Sequence, residues 1–168
     1  YRADGWPRSW RIEGFSSNLR RADGTTRENG VTVSGRIDSP DYGALSVDGA
    51  FRGHPASSLF TVWQRGMPFD NGWFANNGLG MLNTPALPLS RRQYRFFLPT
   101  FPVLGVASEW QHGRETQLFA SVGEPGLFSG LRLAGFSRQG GTLLTAGAQS
   151  VLAPGIEWGL QVADVRAV

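Results

Sequence analysis

The sequence predicts an all-β fold: an antiparallel up-and-down β-barrel, or a segment of one, with about ten strands. Three observations carry this. An alternation of period two runs through most of the chain, and Gly- and Pro-rich turns interrupt it. The 168 residues include 23 Gly and 10 Pro, which suits many short connections. Charged residues make up only 17%, below the roughly 25% of ordinary soluble domains.

The alternation is cleanest in the C-terminal third. Ile156, Trp158, Leu160 and Val162 share one parity, and Glu157, Gly159, Gln161 and Ala163 the other. Leu118, Ala120 and Val122 likewise oppose Gln117, Phe119 and Ser121. Successive side chains of a strand point to opposite faces, so each strand has one apolar face and one small or polar face. Gly, Ala, Ser and Gln dominate the second face. Such residues suit the crowded inside of a barrel, which turns the apolar face outward and calls for lipid there. The alternative is a soluble β-sandwich that buries its apolar faces against each other: a periplasmic or secreted module binding carbohydrate or a protein partner.

Taken in order, residues 9–17 read as a first strand, and the polar residues 18–30, ending in Asn29-Gly30, as a loop. Residues 31–37 alternate without a break, 38–43 turn at Pro40, and 45–52 complete a hairpin. Residues 58–65 form a further strand. The single antiparallel domain, 1–168, is then expected to carry a long irregular loop at 66–92. This stretch holds Asn71-Gly72, Asn76-Asn77-Gly78, Pro85 and Pro88. Long connections of this kind are often functional, so Phe69, Trp73 and Phe74 become candidates for a gate or partner contact. Strands are expected at 91–98 and 103–111. The C-terminal run then turns at 123–126, 138–141 and 153–155. Its spacing, about 12 to 16 residues from turn to turn, suits a tilted membrane strand plus a short turn.

Little in the sequence points to catalysis or to a cofactor. There is no Cys, so there is neither a disulfide nor a thiolate metal site. His54 and His112 are the two histidines and have no metal-ligand spacing. No nucleophile elbow or phosphate-loop fingerprint occurs. No enzyme activity, cofactor or metal is expected. All 16 basic residues are Arg, and the net charge is +3, which permits an anionic partner without requiring one. Residues 91–97 interleave Arg with Tyr94, Phe96 and Phe97. A nucleic-acid surface has this texture, but so does the end of a membrane strand, where aromatics sit at headgroup depth. The second reading is preferred, and nucleic acid is not the expected partner. Tyr94, Phe96, Trp110 and Trp158 are the expected interfacial anchors. Arg36, Asp48, Arg52, Arg132, Glu157 and Gln161 fall on the small or polar face and are the expected lumen-lining residues.

The strand-and-turn texture across residues 31–163 resembles Gram-negative outer-membrane β-barrels, and the Gly/Asn/Pro-rich stretch leading into 91–99 is similar to usher-like export barrels. The resemblance implies an outer-membrane location and a role as pore, export channel or assembly scaffold. It also implies contact with the lipid bilayer and with other subunits of an envelope assembly. The chain starts at Tyr1 without Met or leader and ends on Ala167-Val168, where such barrels finish on an aromatic residue. The expectation is therefore a barrel segment or one protein of an assembly.

Overall fold

The computed structural model describes residues 5–21, 24–54, 56–89, 100–129 and 135–166. Arg132, Tyr94, Phe96 and the strand expected at 91–98 lie outside them. The strands are β1 (Arg8–Arg21), β2 (Gly24–Ser39), β3 (Gly43–His54), β4 (Ser57–Pro68), β5 (Trp73–Asn83), β6 (Pro102–His112), β7 (Thr116–Ser129), β8 (Gly135–Arg138), β9 (Thr142–Ala153) and β10 (Ile156–Arg166). One short 3-10 turn, Asp70–Gly72, joins β4 to β5.

The sheet runs in the order β1-β2-β3-β4-β5-β6-β7-β9-β10, with β8 paired only to β7. Each ladder is antiparallel. This is the all-β, up-and-down class that the alternation predicts. Among the described residues β1 and β10 end the path without a second neighbour, so the sheet is not closed.

Register partners show how aromatic residues and glycines share space. Trp10 pairs with Gly35, Trp63 with Gly78, and Phe119 with Gly147. In each pair the ring lies where a glycine Cβ would be. A cross-strand aromatic covers the backbone that a glycine exposes, which recovers packing and pins the register.

Three expectations are corrected. Residues 18–30 are not a loop, because β1 continues to Arg21 and β2 begins at Gly24, with Asn18 opposite Arg27. Backbone hydrogen bonds hold that ladder, and most of its side chains are exposed, so no alternation marks it. Nor is 66–92 one long loop, since β5 occupies Trp73–Asn83 inside it. Asn71, with φ 62°, and Gly72, with φ 77°, make the turn. The other Asn-Gly signal is used for packing: Gly78 seats the Trp63 ring, and the Asn77 amide donates to Gln64 Oε1 at 3.1 Å. Finally, β7 passes straight through 123–126. The signal there marks a change of neighbour, from β6 and β9 to β8.

Leu82, Val103, Ala107 and Leu143 form the buried core, with Trp63 and Phe101 packed on it. This core lies on one face only. After β5 the chain turns onto that face, and Thr84, Pro85, Ala86 and Leu87 are all buried. The face so covered is called inward below.

Candidate functional site

The sheet's two faces differ in chemistry along its whole width. The outward side carries Trp10 and Ile12 on β1, Val31, Val33 and Ile37 on β2, and Leu45, Val47 and Phe51 on β3. It continues through Phe60 and Val62, Leu79 and Met81, Leu104 and Val106, Leu118 and Val122, and Leu144, to Leu160 and Val162 on β10. Leu79 is 50% exposed, Val106 45% and Leu160 62%. Across residues 31–37, 45–51, 58–64, 75–81, 104–110, 118–122 and 144–148 no outward position is charged. The outward charges Arg8, Arg20, Arg27, Glu124, Arg138, Asp164 and Arg166 lie beyond that band, toward strand ends. Continuous exposed apolar surfaces mark contact with lipid or with another protein.

Its polar members are bonded to one another. Ser108 Oγ donates to Asn77 Oδ1 at 2.7 Å, and Trp110 Nε1 donates to Ser108 Oγ at 2.9 Å. With the Asn77–Gln64 bond this makes a chain across β4, β5 and β6, and Gln64 also donates to the Tyr42 carbonyl at 3.0 Å. Satisfied this way, these amides and the hydroxyl are compatible with an apolar surrounding.

Aromatic residues gather at one end. Trp6 and Tyr42 meet edge-on at 6.4 Å, Phe69 lies 4.7 Å from Trp110, and Trp73 lies 5.2 Å from His112. Trp158, the third residue of β10, lies at the same end. The turns there are short: 40–42, 69–72, 113–115 and 154–155. The two longest connections, β5 to β6 and β7 to β9, lie at the other end. Trp110 and Trp158 both lie at this end of the sheet. Phe69, Trp73 and Phe74 are corrected from a long loop: Phe69 begins the tight turn, and Trp73 and Phe74 open β5. Phe69 N donates to the Trp73 carbonyl at 2.9 Å, which closes the turn.

The inward face is small and polar, and a strap crosses part of it. Thr84 N donates to the Phe101 carbonyl and Phe101 N to Thr84 Oγ1, both at 2.9 Å, which ties the strap's root beside β5 and β6. Its far part crosses to β9 and β10. Leu89 N donates to Gln149 Oε1 at 3.0 Å, and the Leu87 and Leu89 side chains lie over Gly159. A Cβ at residue 159 would press on the Leu89 methyl at 3.1 Å and touch that of Leu87 at 3.5 Å. Beneath the strap, Ser121 and Thr145 share a buried hydroxyl bond of 2.6 Å. Where the strap reaches the aromatic end, a polar cavity of ≈ 320 Å³ is lined by Pro88, Gln111, Arg114, Gln117, Gln149 and Glu157, among others.

The described lumen candidates all fall on the inward face, but they do not form one cluster. Arg36 is exposed and pairs with Asp38 at 2.9 Å. Asp48, also exposed, stands opposite Ser34 and Thr61. Arg52 is buried against Glu28 at 3.6 Å, the two side chains being 6% and 3% exposed. Glu157 and Gln161 lie on β10, Glu157 at the cavity and Gln161 with its Oε1 buried. Sequence reasoning missed Glu28, Leu87, Gln117 and Gln149. Glu28 was hidden by the loop reading of 18–30 and Leu87 by that of 66–92. The shared parity of Gln117 and Gln149, which are register partners, was the available signal for the other two.

Among the described residues no group of His, Asp and Glu is arranged to hold a metal ion. No helix there is long and apolar enough to cross a membrane, a criterion that leaves crossing by strands open. Comparison of the chain with protein-family models, curated proteins and solved structures found no match.

Proposed function

We propose that this chain forms part of the wall of a bacterial outer-membrane β-barrel and serves there as a pore, an export channel or an assembly scaffold. One observation carries the reading: an unbroken outward apolar face, free of charge through its middle, backed by an inward face of small and polar residues. Lipid is the surrounding that makes such an arrangement favourable, because strands can cross it only with their backbone groups paired and their apolar sides out. A sandwich would bury this face, whereas here the covered face is the other one. The aromatic end with short turns supports an interfacial girdle at headgroup depth. In this reading the strap at 84–89 narrows the lumen, and the wet Arg36 and Asp48 region over β2 and β3 faces the aqueous path.

The test is fractionation of the natively expressed protein, followed by gels run with and without boiling. The expected outcome is retention in the outer membrane through salt and carbonate washes, with faster migration of the unboiled protein. A freely soluble protein without a heat shift would sink the proposal.

A further inference from the structure

We infer that the polar cavity on the inward face is a binding site for a neutral, hydroxyl-rich ligand of the size of a mono- or disaccharide. A row of three glutamines carries the argument. Gln111 on β6 is the register partner of Gln117 on β7, and Gln117 is that of Gln149 on β9. Two residues along, the Phe119 ring lies where a Gly147 Cβ would be, which pins that register. The row spans two interstrand steps, about 10 Å, and all three residues line the cavity of ≈ 320 Å³. Each of the three strands has a neighbour on both sides, so the row lies within the sheet and does not depend on its edges.

The state of the amides points to an occupant. Gln117 is 7% exposed, and among the described residues no hydrogen bond engages its side chain. The same holds for Gln111, which is half-buried. Gln149 accepts from Leu89 N at 3.0 Å through Oε1, which leaves its Nε2 as a donor. A buried amide without a partner is costly, and an occupant that returns its hydrogen bonds removes that cost. Each carboxamide carries donors and an acceptor side by side, and a hydroxyl group is likewise both. An apolar occupant would leave the row unpaired. The charged residues of the lining, Arg114, Glu115 and Glu157, are all exposed, one cation against two carboxylates. Among the described residues the buried part of the wall therefore offers no counter-charge to an ionic ligand. The volume is at the lower end of the roughly 300–1,000 Å³ of small-molecule sites, which sets the size of the ligand.

The probes are glucose, maltose and N-acetylglucosamine, with glucose 6-phosphate and glucosamine as charged counterparts. Side-chain amide resonances are followed in the folded protein carrying nitrogen-15 glutamine, in detergent micelles if the membrane retains it. A neutral sugar is expected to move the signals of Gln111, Gln117 and Gln149 saturably at millimolar concentration. Gln64, on the outward face, should stay in place. Gln117→Leu removes the amide at nearly constant volume and should weaken that sugar at least tenfold. Gln111→Leu, at a half-buried position, gives the same test if Gln117→Leu does not fold. No saturable shift with any of the three neutral sugars, tighter binding of a charged counterpart, or unchanged affinity in the variants overturns the inference. The carbonate wash decides the medium on the outward face separately. The cavity lies on the other face, so a protein that stays in the membrane and binds no sugar counts against this site alone.

Discussion

Gly105 and Gly123 are register partners on the inward face, and Gly80 is the partner of Gly105 on the other side. A Cβ on Gly105 would collide with the Val122 carbonyl oxygen and would lie 2.5 Å from Gly123 Cα. Backbone, not a flexible side chain, is in the way. Gly105→Ala should therefore cost about 1–3 kcal/mol, seen as a lower urea midpoint of the protein refolded in lipid vesicles. Gly14 on β1 has open space around its Cα. Gly14→Ala should leave the midpoint unchanged or raise it, since glycine weakens a strand interior. The buried Arg52–Glu28 pair makes a second residue-scale case. The two side chains are 6% and 3% exposed, so Arg52→Met takes a buried counter-charge from Glu28 and should cost about 3–5 kcal/mol. Arg52→Met with Glu28→Met should cost less than the sum of the single changes, which a double-mutant cycle on the same urea titration measures. An additive result would mean that the two charges do not support each other.

At the scale of elements, the strap is the part that sets the inside. Gly159 lies 3.1 Å, measured from its ideal Cβ position, from a Leu89 methyl and 3.5 Å from one of Leu87. Gly159→Arg should lift residues 87–89 off β10 while leaving the β9–β10 ladder intact. If the strap narrows a lumen, single-channel conductance in planar bilayers should rise severalfold relative to the unchanged protein. Equal conductance would mean that the strap does not obstruct the path. The strap also marks the limit of what the sequence made legible. Strands whose two faces differ in side-chain chemistry, such as 31–37 and 156–163, declared themselves by alternation, and their parity assigned every residue to the face it occupies. Strand ends with both faces wet, such as 18–30, carried no such contrast. β5 was obscured for another reason. Its glycines and asparagines serve neighbouring strands, Gly78 beneath Trp63 and Asn77 between Gln64 and Ser108. A turn would use the same residue types, and only the pairing partners tell the two uses apart. The inward candidates Arg36, Asp48 and Arg52 were legible as a face but not as a site, because parity gives a direction and not a distance.

For the whole molecule, the surrounding medium decides what the outward face is worth. Val106 stands at the centre of that face, in a row with Val62, Leu79, Val122 and Leu144 across five strands. It is 45% exposed, so an arginine there meets no clash and disturbs no core. In water such a change falls within about ±0.5 kcal/mol. At the middle of a bilayer the same arginine costs about 2–4 kcal/mol, since its charge must reach the headgroups or draw water inward. Val106→Arg thus reads out the medium itself. We expect it to lower the urea midpoint in lipid vesicles by that amount, and Val106→Ala to lower it far less. An arginine on Asp48, which is inward and wet, should cost little in either medium. If Val106→Arg and Asp48→Arg are equally mild, water covers the outward face and the apolar band has another purpose. If Val106→Arg alone fails to insert, lipid is what the alternation of this chain is written for.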